Sequence, residues 1–332
     1  MKLLIDLNEF ELYKQNKMFL ELLLTDKTTN KYIKLCTSSY SECSENDYLT
    51  PDIVNTNFIK PRVSKTKEIQ SKRSKDKAEV FTPSWICNSQ NNLIDNNWFG
   101  YSNAFNTEKE KSWVTNYNKI DFKDKSWKDY ILEKQLEVAC GEAPYLVSRY
   151  DVVSGNEIDI LDRIGLLDRK LRVLNENASD NEWLEWCFNA FKSVYGYDYQ
   201  GDNVLLAREN LLLTFIDYYS HKFFEYPKDE LILKVIDIIS WNIWQMDGTK
   251  FVIPNSCINE EITETDLFGV KTSKIIKCDG CLENDYYSHN GVYCRIMDWE
   301  SNKDIEFIRL VNNHDIHSPH QKSRATRRID SR

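Results

Sequence analysis

Three acidic side chains stand where a short apolar run gives way to small or polar residues. They are Glu137 in Leu136-Glu137-Val138-Ala139-Cys140-Gly141, Asp198 in Val194-Tyr195-Gly196-Tyr197-Asp198, and Asp247 in Trp244-Gln245-Met246-Asp247-Gly248. A carboxylate at the carboxyl end of a strand can accept hydrogen bonds from ribose hydroxyls or from an exocyclic amine. In an open α/β sheet the ligand lies across those strand ends. Ala139, Cys140 and Gly141 are small enough for a tight turn after the first strand, and Pro144 suits the first position of a helix. Strand, small-residue turn and helix N-terminus together predict a nucleotide-like cofactor site. One acidic strand end is uninformative; three in this order, with Cys140-Gly141 at the first turn, are more specific.

The elements needed to position these residues can be read from hydrophobic spacing. Between residues 79 and 255, strand-like and helix-like stretches alternate, which predicts a parallel sheet wrapped by helices. Helices are expected over Arg163–Arg172, Glu182–Ser193, Asp202–Tyr219 and Lys228–Ile239. A helix is also expected to open at Pro83, with Thr82 as its N-cap. Residues 100–130 show weak periodicity and are expected to be mostly loop. Near the N-terminus, Phe19–Leu24 and Tyr32–Leu35 flank the polar turn Asp26–Asn30, which predicts a strand hairpin. The chain is thus divided into a β-rich addition (1–56), a basic linker (57–78), a cofactor-binding domain (79–255), a C-terminal extension (256–312) and a basic tail expected to be disordered (313–332). The linker carries Lys60, Arg62, Lys65, Lys67, Lys72, Arg73, Lys75 and Lys77. A solvated helix face is the commoner meaning of such a run, and a phosphate-contacting patch the sharper one.

Composition sets the outer limits. The 332 residues carry a net charge of −9, which argues against indiscriminate nucleic-acid binding while leaving local basic patches open. No apolar run reaches the ~20 residues needed to span a bilayer. Met1–Asp6 is too short in apolar residues for a secretory signal, so the expected location is the cytoplasm, away from membrane. The nine cysteines then read as reduced thiols. Cys278-Asp279-Gly280-Cys281, with His289 and Cys294 nearby, has the spacing of half a zinc site. A second Cys-x-x-Cys is missing, so a polar loop with free thiols is expected and no metal is assigned. Cys140 has no histidine placed beside it by the sequence and is not expected to be a nucleophile.

Taken together, these segments resemble the amino-group DNA methyltransferases of restriction-modification systems that place their cofactor motifs first, especially chains labelled restriction endonuclease subunit M. Glu79-Val80-Phe81-Thr82-Pro83 resembles the Phe-Thr-Pro motif near the methionine part of S-adenosylmethionine, and Glu137–Leu146 resembles Asp-Pro-Ala-Cys-Gly-Ser-Gly-x-Phe-Leu around that cofactor. Tyr195–Asp198 is similar to the strand whose acidic end holds the ribose, and Met246-Asp247-Gly248 to the segment that contacts adenine. The resemblance covers roughly residues 75–255. It implies an α/β, Rossmann-like S-adenosylmethionine-dependent methyltransferase fold with small N-terminal and C-terminal additions. The implied cofactor-binding residues are Phe81, Thr82, Pro83, Glu137, Ala139, Cys140, Gly141, Asp198 and Asp247.

The implied reaction is methyl transfer to adenine N6 in DNA, with DNA as partner and a separate specificity or restriction subunit as a further one. In that reaction positioning supplies most of the effect. Two departures qualify the match. Ala143 replaces the second glycine of the central turn, so the turn is expected to differ there or to hold the cofactor farther out. The Asn/Asp-Pro-Pro-Tyr/Phe motif that holds the target base is missing. Asp298 and Trp299, which follow a strand downstream of Asp247, are the expected catalytic substitutes, with Asn242–Gln245 as a lesser candidate. The alternative is a catalytically inactive subunit on the same fold that binds DNA or a partner.

Overall fold

A computed structural model describes residues 16–37, 43–44, 46–57, 59–265 and 271–312. The basic tail from 313, expected to be disordered, lies outside the described residues, as do 1–15. The chain forms a mixed α/β fold around a parallel three-stranded sheet. Among the described residues the elements in chain order are first α1 (Lys17–Leu24), β1 (Thr25–Asp26), β2 (Lys31–Tyr32), α2 (Pro51–Asn57), α3 (Lys67–Lys77) and α4 (Ser84–Phe99). Next come β3 (Asn106–Lys109), β4 (Ser112–Thr115), α5 (Trp127–Leu132), β5 (Gln135–Val138), α6 (Leu166–Asn177) and α7 (Asp180–Lys192). β6 (Val194–Asp198), α8 (Gly201–Phe223), α9 (Asp229–Asn242) and β7 (Ile243–Gln245) complete the central unit. The remainder is β8 (Glu260–Thr265), β9 (Lys271–Ile276), α10 (Asp279–Glu283), β10 (Arg295–Asp298), β11 (Lys303–Glu306) and α11 (Ile308–Asn312).

The sheet runs β5-β6-β7, with Glu137 paired to Gly196 and Tyr197 to Trp244. Because side chains alternate across a strand, this register puts Glu137, Gly196 and Asp198 on one face. Leu136, Tyr195, Tyr197 and Trp244 lie on the other. The strands advance in one direction and parallel crossovers keep one hand, so their connecting helices collect on a single face. There α6, α7, α8 and α9 bury Leu171, Trp183, Leu212 and Ile236 in one core. A smaller cluster covers the opposite face, where Ile296 and Phe307 pack on Tyr197 and Trp244. Among the described residues, β5 pairs only with β6 and is an open edge.

Four expectations need correction. Residues 17–24 form a helix, not a strand. Asn16 caps its N-terminus, and Phe19, Leu20, Leu23 and Leu24 lie on one helical stripe. The hairpin that follows is reduced to β1 and β2, and α1 shares the main core with α8 and α9. Second, residues 100–130 contain a hairpin, β3–β4, and the short helix α5, whose capping box is Ser126 and Asp129. Third, Thr82 does not cap α4. The backbone N–H of Ser84 is satisfied from afar by Asp151 Oδ2 at 2.7 Å. Fourth, Pro144 opens only a turn, and the next helix is α6. The intervening chain is held irregular by Ser148, whose hydroxyl accepts the N–H groups of Ile164 at 2.7 Å and Gly165 at 3.2 Å. The other expected helices and the strand at β6 form where the spacing placed them, whereas β7 is shorter than expected and ends at Gln245, before Asp247.

Two cations of the basic linker have an internal role. α3 lies across the start of α8, and Arg73 is buried there, with hydrogen bonds to Asp202 at 2.8 and 3.0 Å and an ion pair to Glu79. Lys65 reaches the same Asp202 carboxylate at 3.2 Å. These two cations therefore fix the segment leading into Phe81. Lys60, Lys67, Lys72 and Lys75 remain exposed.

Candidate cofactor-binding site

The turn after β5 has left-handed backbone at Ala139 (φ 51°), Gly141 (φ 55°) and Ala143 (φ 62°). For a residue with a Cβ this conformation costs about 1–2 kcal/mol, so contacts from outside must hold the turn. Gly141 N–H donates to Asp198 Oδ2 at 2.9 Å, and Cys140 N–H to the Tyr197 carbonyl at 2.8 Å. Asn210 donates to the Glu142 carbonyl at 3.0 Å. The buried Glu142 carboxylate accepts from the Arg62 N–H and the Tyr150 hydroxyl, both at 2.6 Å. The alanine at 143 thus takes the left-handed backbone expected of a glycine, with its methyl fully buried in the core. Gly141 is a genuine glycine position, because a Cβ there would also lie 3.3 Å from the Phe81 ring.

At the carboxyl ends of β5 and β6 this turn borders a cavity of about 700 Å³. Its walls include Phe81, Thr82, Glu137, Ala139, Cys140, Gly141 and Asp198, residues assigned to the cofactor from sequence. Tyr145, Gln200 and Asn203 join them without having been singled out. Their signal was position alone: Gln200 and Asn203 follow Asp198 at the start of α8.

Two buried atoms in these wall residues have no hydrogen-bond partner, Glu137 Oε2 and Gln200 Oε1. Buried polar atoms left unpaired are uncommon. Burial pushes Glu137 well above the usual carboxylate range, although its Oε1 accepts the Tyr145 N–H at 3.3 Å. Burial also raises Asp198, to about 6, against the opposing hydrogen bonds from Gln200 and Gly141. Cys140 is pushed up by burial and by neighbouring carboxylates, which makes its thiol inert, as expected of a packing residue at a turn.

Four assigned residues are not brought to this cavity. Pro83 adjoins Thr82 as the N-cap residue of α4 but is not on the wall. Asp247 caps its own turn, where its Oδ1 accepts the Thr249 N–H at 3.0 Å and hydroxyl at 2.7 Å. β7 ends before it, at Gln245, whose side chain donates to the Lys34 carbonyl at 2.7 Å and the Tyr199 carbonyl at 2.9 Å.

Asp298 lies at the other face of the sheet, and Trp299 packs beside the α9–β7 junction; neither reaches the cavity. Asp298 ends β10 and caps the β10–β11 turn, accepting the Glu300 N–H at 3.1 Å and the Ser301 hydroxyl at 2.6 Å. It borders a separate cavity of about 380 Å³ with Leu136, Tyr195 and Trp244. Trp299 donates its indole N–H to Asn242 Oδ1 at 2.8 Å and packs against the core. Asn242 itself is buried, donating to the Phe191 and Val194 carbonyls at 3.0 and 2.9 Å. All three are anchors of the hairpin and of the α9–β7 junction. Their downstream order in sequence does not translate into proximity, because β10 pairs with β11 and not with the central sheet.

Elsewhere, Cys278, Cys281 and His289 meet as their spacing suggested, but the fourth member of the group is Cys257. Cys294 is buried apart from them, its thiol 3.4 Å from the Gln245 carbonyl. Among the described residues no helix is long and apolar enough to cross a membrane. Comparison with known proteins finds no matching family, no matching curated protein and no matching solved structure.

Proposed function

We propose that the cavity beside Gly141 binds S-adenosylmethionine and that the chain is a methyltransferase-like protein acting on DNA, with adenine N6 as the acceptor. The observation that carries the cofactor reading is the pair of buried oxygens without a hydrogen-bond partner, Glu137 Oε2 and Gln200 Oε1, in two residues that line a cavity of about 700 Å³ at two parallel strand ends. Small-molecule sites typically occupy about 300–1,000 Å³ and fix their ligand with a few converging polar groups. A nucleoside supplies partners for both: its hydroxyls accept or donate, which suits a Glu137 carboxyl whose proton is favoured by burial, and its exocyclic amine donates to Gln200.

Asp198 is the residue for the ribose hydroxyls. Its carboxylate already accepts from Gly141, Gln200 and Asn203, so the ribose site and the turn are set by one group. Gln200 offers its free oxygen to an amine. Phe81 and Thr82 stand where the resemblance puts the methionine end, and Gly141 leaves the space between Phe81 and the backbone open. When bound, the cofactor supplies an electrophilic methyl group. The residues described here bind and orient it.

A second reading is favoured by the position of Asp298 and Trp299 away from the cavity. In that reading the chain holds the cofactor, or DNA, and performs no transfer alone. A specificity or restriction subunit would then supply the target-base contacts. Titration calorimetry with S-adenosylmethionine tests the shared premise, and saturable binding that weakens in Asp198→Ala is expected. Absence of binding would overturn both readings. Tritium transfer from labelled cofactor to DNA separates them: label in adenine supports the enzyme, and cofactor binding without transfer supports the subunit.

A further inference from the structure

The chain leaves the central unit near Pro254, forms the hairpin β8–β9, and returns through α10 to β10. Cys257 precedes β8 by three residues and Cys278 follows β9 by two. The two cysteines therefore meet at the base of the hairpin. Cys281, one turn further along α10, and His289 join them, and the four ligand atoms all lie within 4.8 Å of one another.

We propose that Cys257, Cys278, Cys281 and His289 bind one zinc ion, which clips the base of the β8–β9 hairpin to the loop before β10. His289 Nδ1 lies 3.6 Å from the sulfur of Cys257, of Cys278 and of Cys281. A tetrahedral ion with Zn–S near 2.3 Å and Zn–N of 2.0–2.1 Å sets its nitrogen–sulfur edges at about 3.6 Å. A disulfide would bring two of the sulfurs together and give the imidazole no reason to be equidistant from all three. Thiolate and imidazole donors in this shape suit zinc among common divalent ions. Four protein ligands leave no open position, so the site is structural. The thiols that bind give up their protons to solvent as the ion enters.

The surroundings are built for closure. A Cβ at Gly280 would lie 2.6 Å from the His289 nitrogen and 2.7 Å from its Nδ1, so only glycine lets the histidine approach. At Gly291 a Cβ would stand 2.7 Å from Ser256 Oγ and 3.0 Å from the Cys257 sulfur. Backbone and side-chain donors orient the ligands, as outer groups do around bound metals. Asn290 N–H points to the Cys278 sulfur at 3.3 Å. The Asn290 side chain pairs with the backbone of Ile258, accepting at 3.1 Å and donating at 2.8 Å, which ties the Cys257 segment to the His289 segment. Apolar burial offers the hairpin base little support. Ile258 is 65% exposed and Ile275 64%. A two-stranded hairpin of this kind is marginal without a further anchor.

The test uses the full chain and does not depend on the cofactor reading. Elemental analysis of the purified protein should find one zinc per chain, and cobalt replacing zinc should give the intense thiolate charge-transfer and visible bands of a tetrahedral site. Cys281→Ser, at the exposed ligand, should lose the ion. Cys294→Ser should keep it. Should Cys281→Ser fail to fold, the unaltered protein provides the second measurement. Removal of zinc by a chelator should speed amide exchange over residues 256–294 and leave β5–β7 unchanged. Zinc-free protein that binds no cobalt, iron in place of zinc, a disulfide among the three cysteines, or exchange unaffected by the chelator would each overturn the proposal.

Discussion

The two faces of the β5–β6–β7 sheet use the same three strands and do opposite things. On one, Glu137 and Asp198 bring carboxyl groups to a cavity bordered by the Gly141 turn, and two buried oxygens are left without a partner. On the other, Tyr197, Trp244, Ile296 and Phe307 pack together, and the carboxylate of Asp298 is satisfied by the protein itself. An acidic residue beside a large aromatic ring looks chemically suitable in either place. What separates the two places is that the cavity side holds buried oxygens without a partner beside its carboxylates. Asp298 has a hydroxyl and an N–H as partners at a turn, whereas Glu137 and Gln200 still hold capacity inside a cavity wall.

The comparison can be broken first at Arg73, which supports only the cavity face. Arg73→Ala leaves Asp202 buried in the first turn of α8, and loss of one partner from such a pair costs about 3–5 kcal/mol. Chemical denaturation should show this, and cofactor binding should be lost with it. Asp198→Ala should weaken S-adenosylmethionine binding by about 1–3 kcal/mol, since it removes acceptors from both ligand and turn. Equal affinity by calorimetry would remove Asp198 from the site.

Acidity sharpens the same contrast. Burial raises Asp198 from an ordinary value of 3.8 to about 6. The folded state then holds this proton more tightly than the unfolded chain. That contribution to stability is complete below pH 3.8 and is lost as the pH rises through about 6. Ligand binding runs the other way. If the carboxylate receives the ribose hydroxyls, affinity should fall about tenfold per pH unit below that value. Asp168, also raised to about 6 by burial, lies away from the cavity and should contribute to the stability profile alone. Calorimetry from pH 5 to 7 reads the binding limb.

Smaller effects follow at the turn and behind the sheet. Ala139 is exposed and left-handed, so Ala139→Gly should stabilise by about 0.5–1 kcal/mol, the relief of the backbone less the greater freedom of unfolded glycine. At Ala143 the buried methyl opposes that gain, and the same change should be close to neutral. Asp298→Ala should shift stability by no more than about 0.5 kcal/mol and leave cofactor affinity unchanged. A loss of binding there would dissolve the distinction between the faces.

Much of the cavity was legible because strand ends announce themselves. Apolar alternation stopping at Glu137 and at Asp198 fixed both the face and the direction of the carboxylates. Asp247 misled because β7 is short and ends at Gln245, two residues before the acid. Arg73 was hidden in a charged run, where nothing distinguishes the one cation that is buried from its exposed neighbours. Cys257 was missed for the opposite reason: a hairpin separates it from Cys278, and only strand pairing brings them together. The polar turn Asp26–Asn30 points to a hairpin whose first strand would be 19–24, whereas the stripe formed by Phe19, Leu20, Leu23 and Leu24 carries the helical period. The specific methyltransferase fold remains a proposal, since the observed sheet is a three-stranded parallel core within a mixed α/β chain.

The docking of α1 has a consequence for biosynthesis. Arg208 in α8 donates to the carbonyls of Leu23 at 2.5 Å and Thr25 at 2.9 Å, and the Ser240 hydroxyl donates to the Leu22 carbonyl across 218 residues of sequence. At about 5–20 residues per second, a ribosome needs roughly 10–40 s to make that stretch. During this time the apolar stripe of α1 lacks the surface that α8 and α9 provide in the folded protein. The nascent chain therefore emerges with an early hydrophobic segment that must wait for α9, which makes it a natural client for chaperones that bind such segments. Trimming those residues would not release a tidier domain: it would expose the backs of α8 and α9.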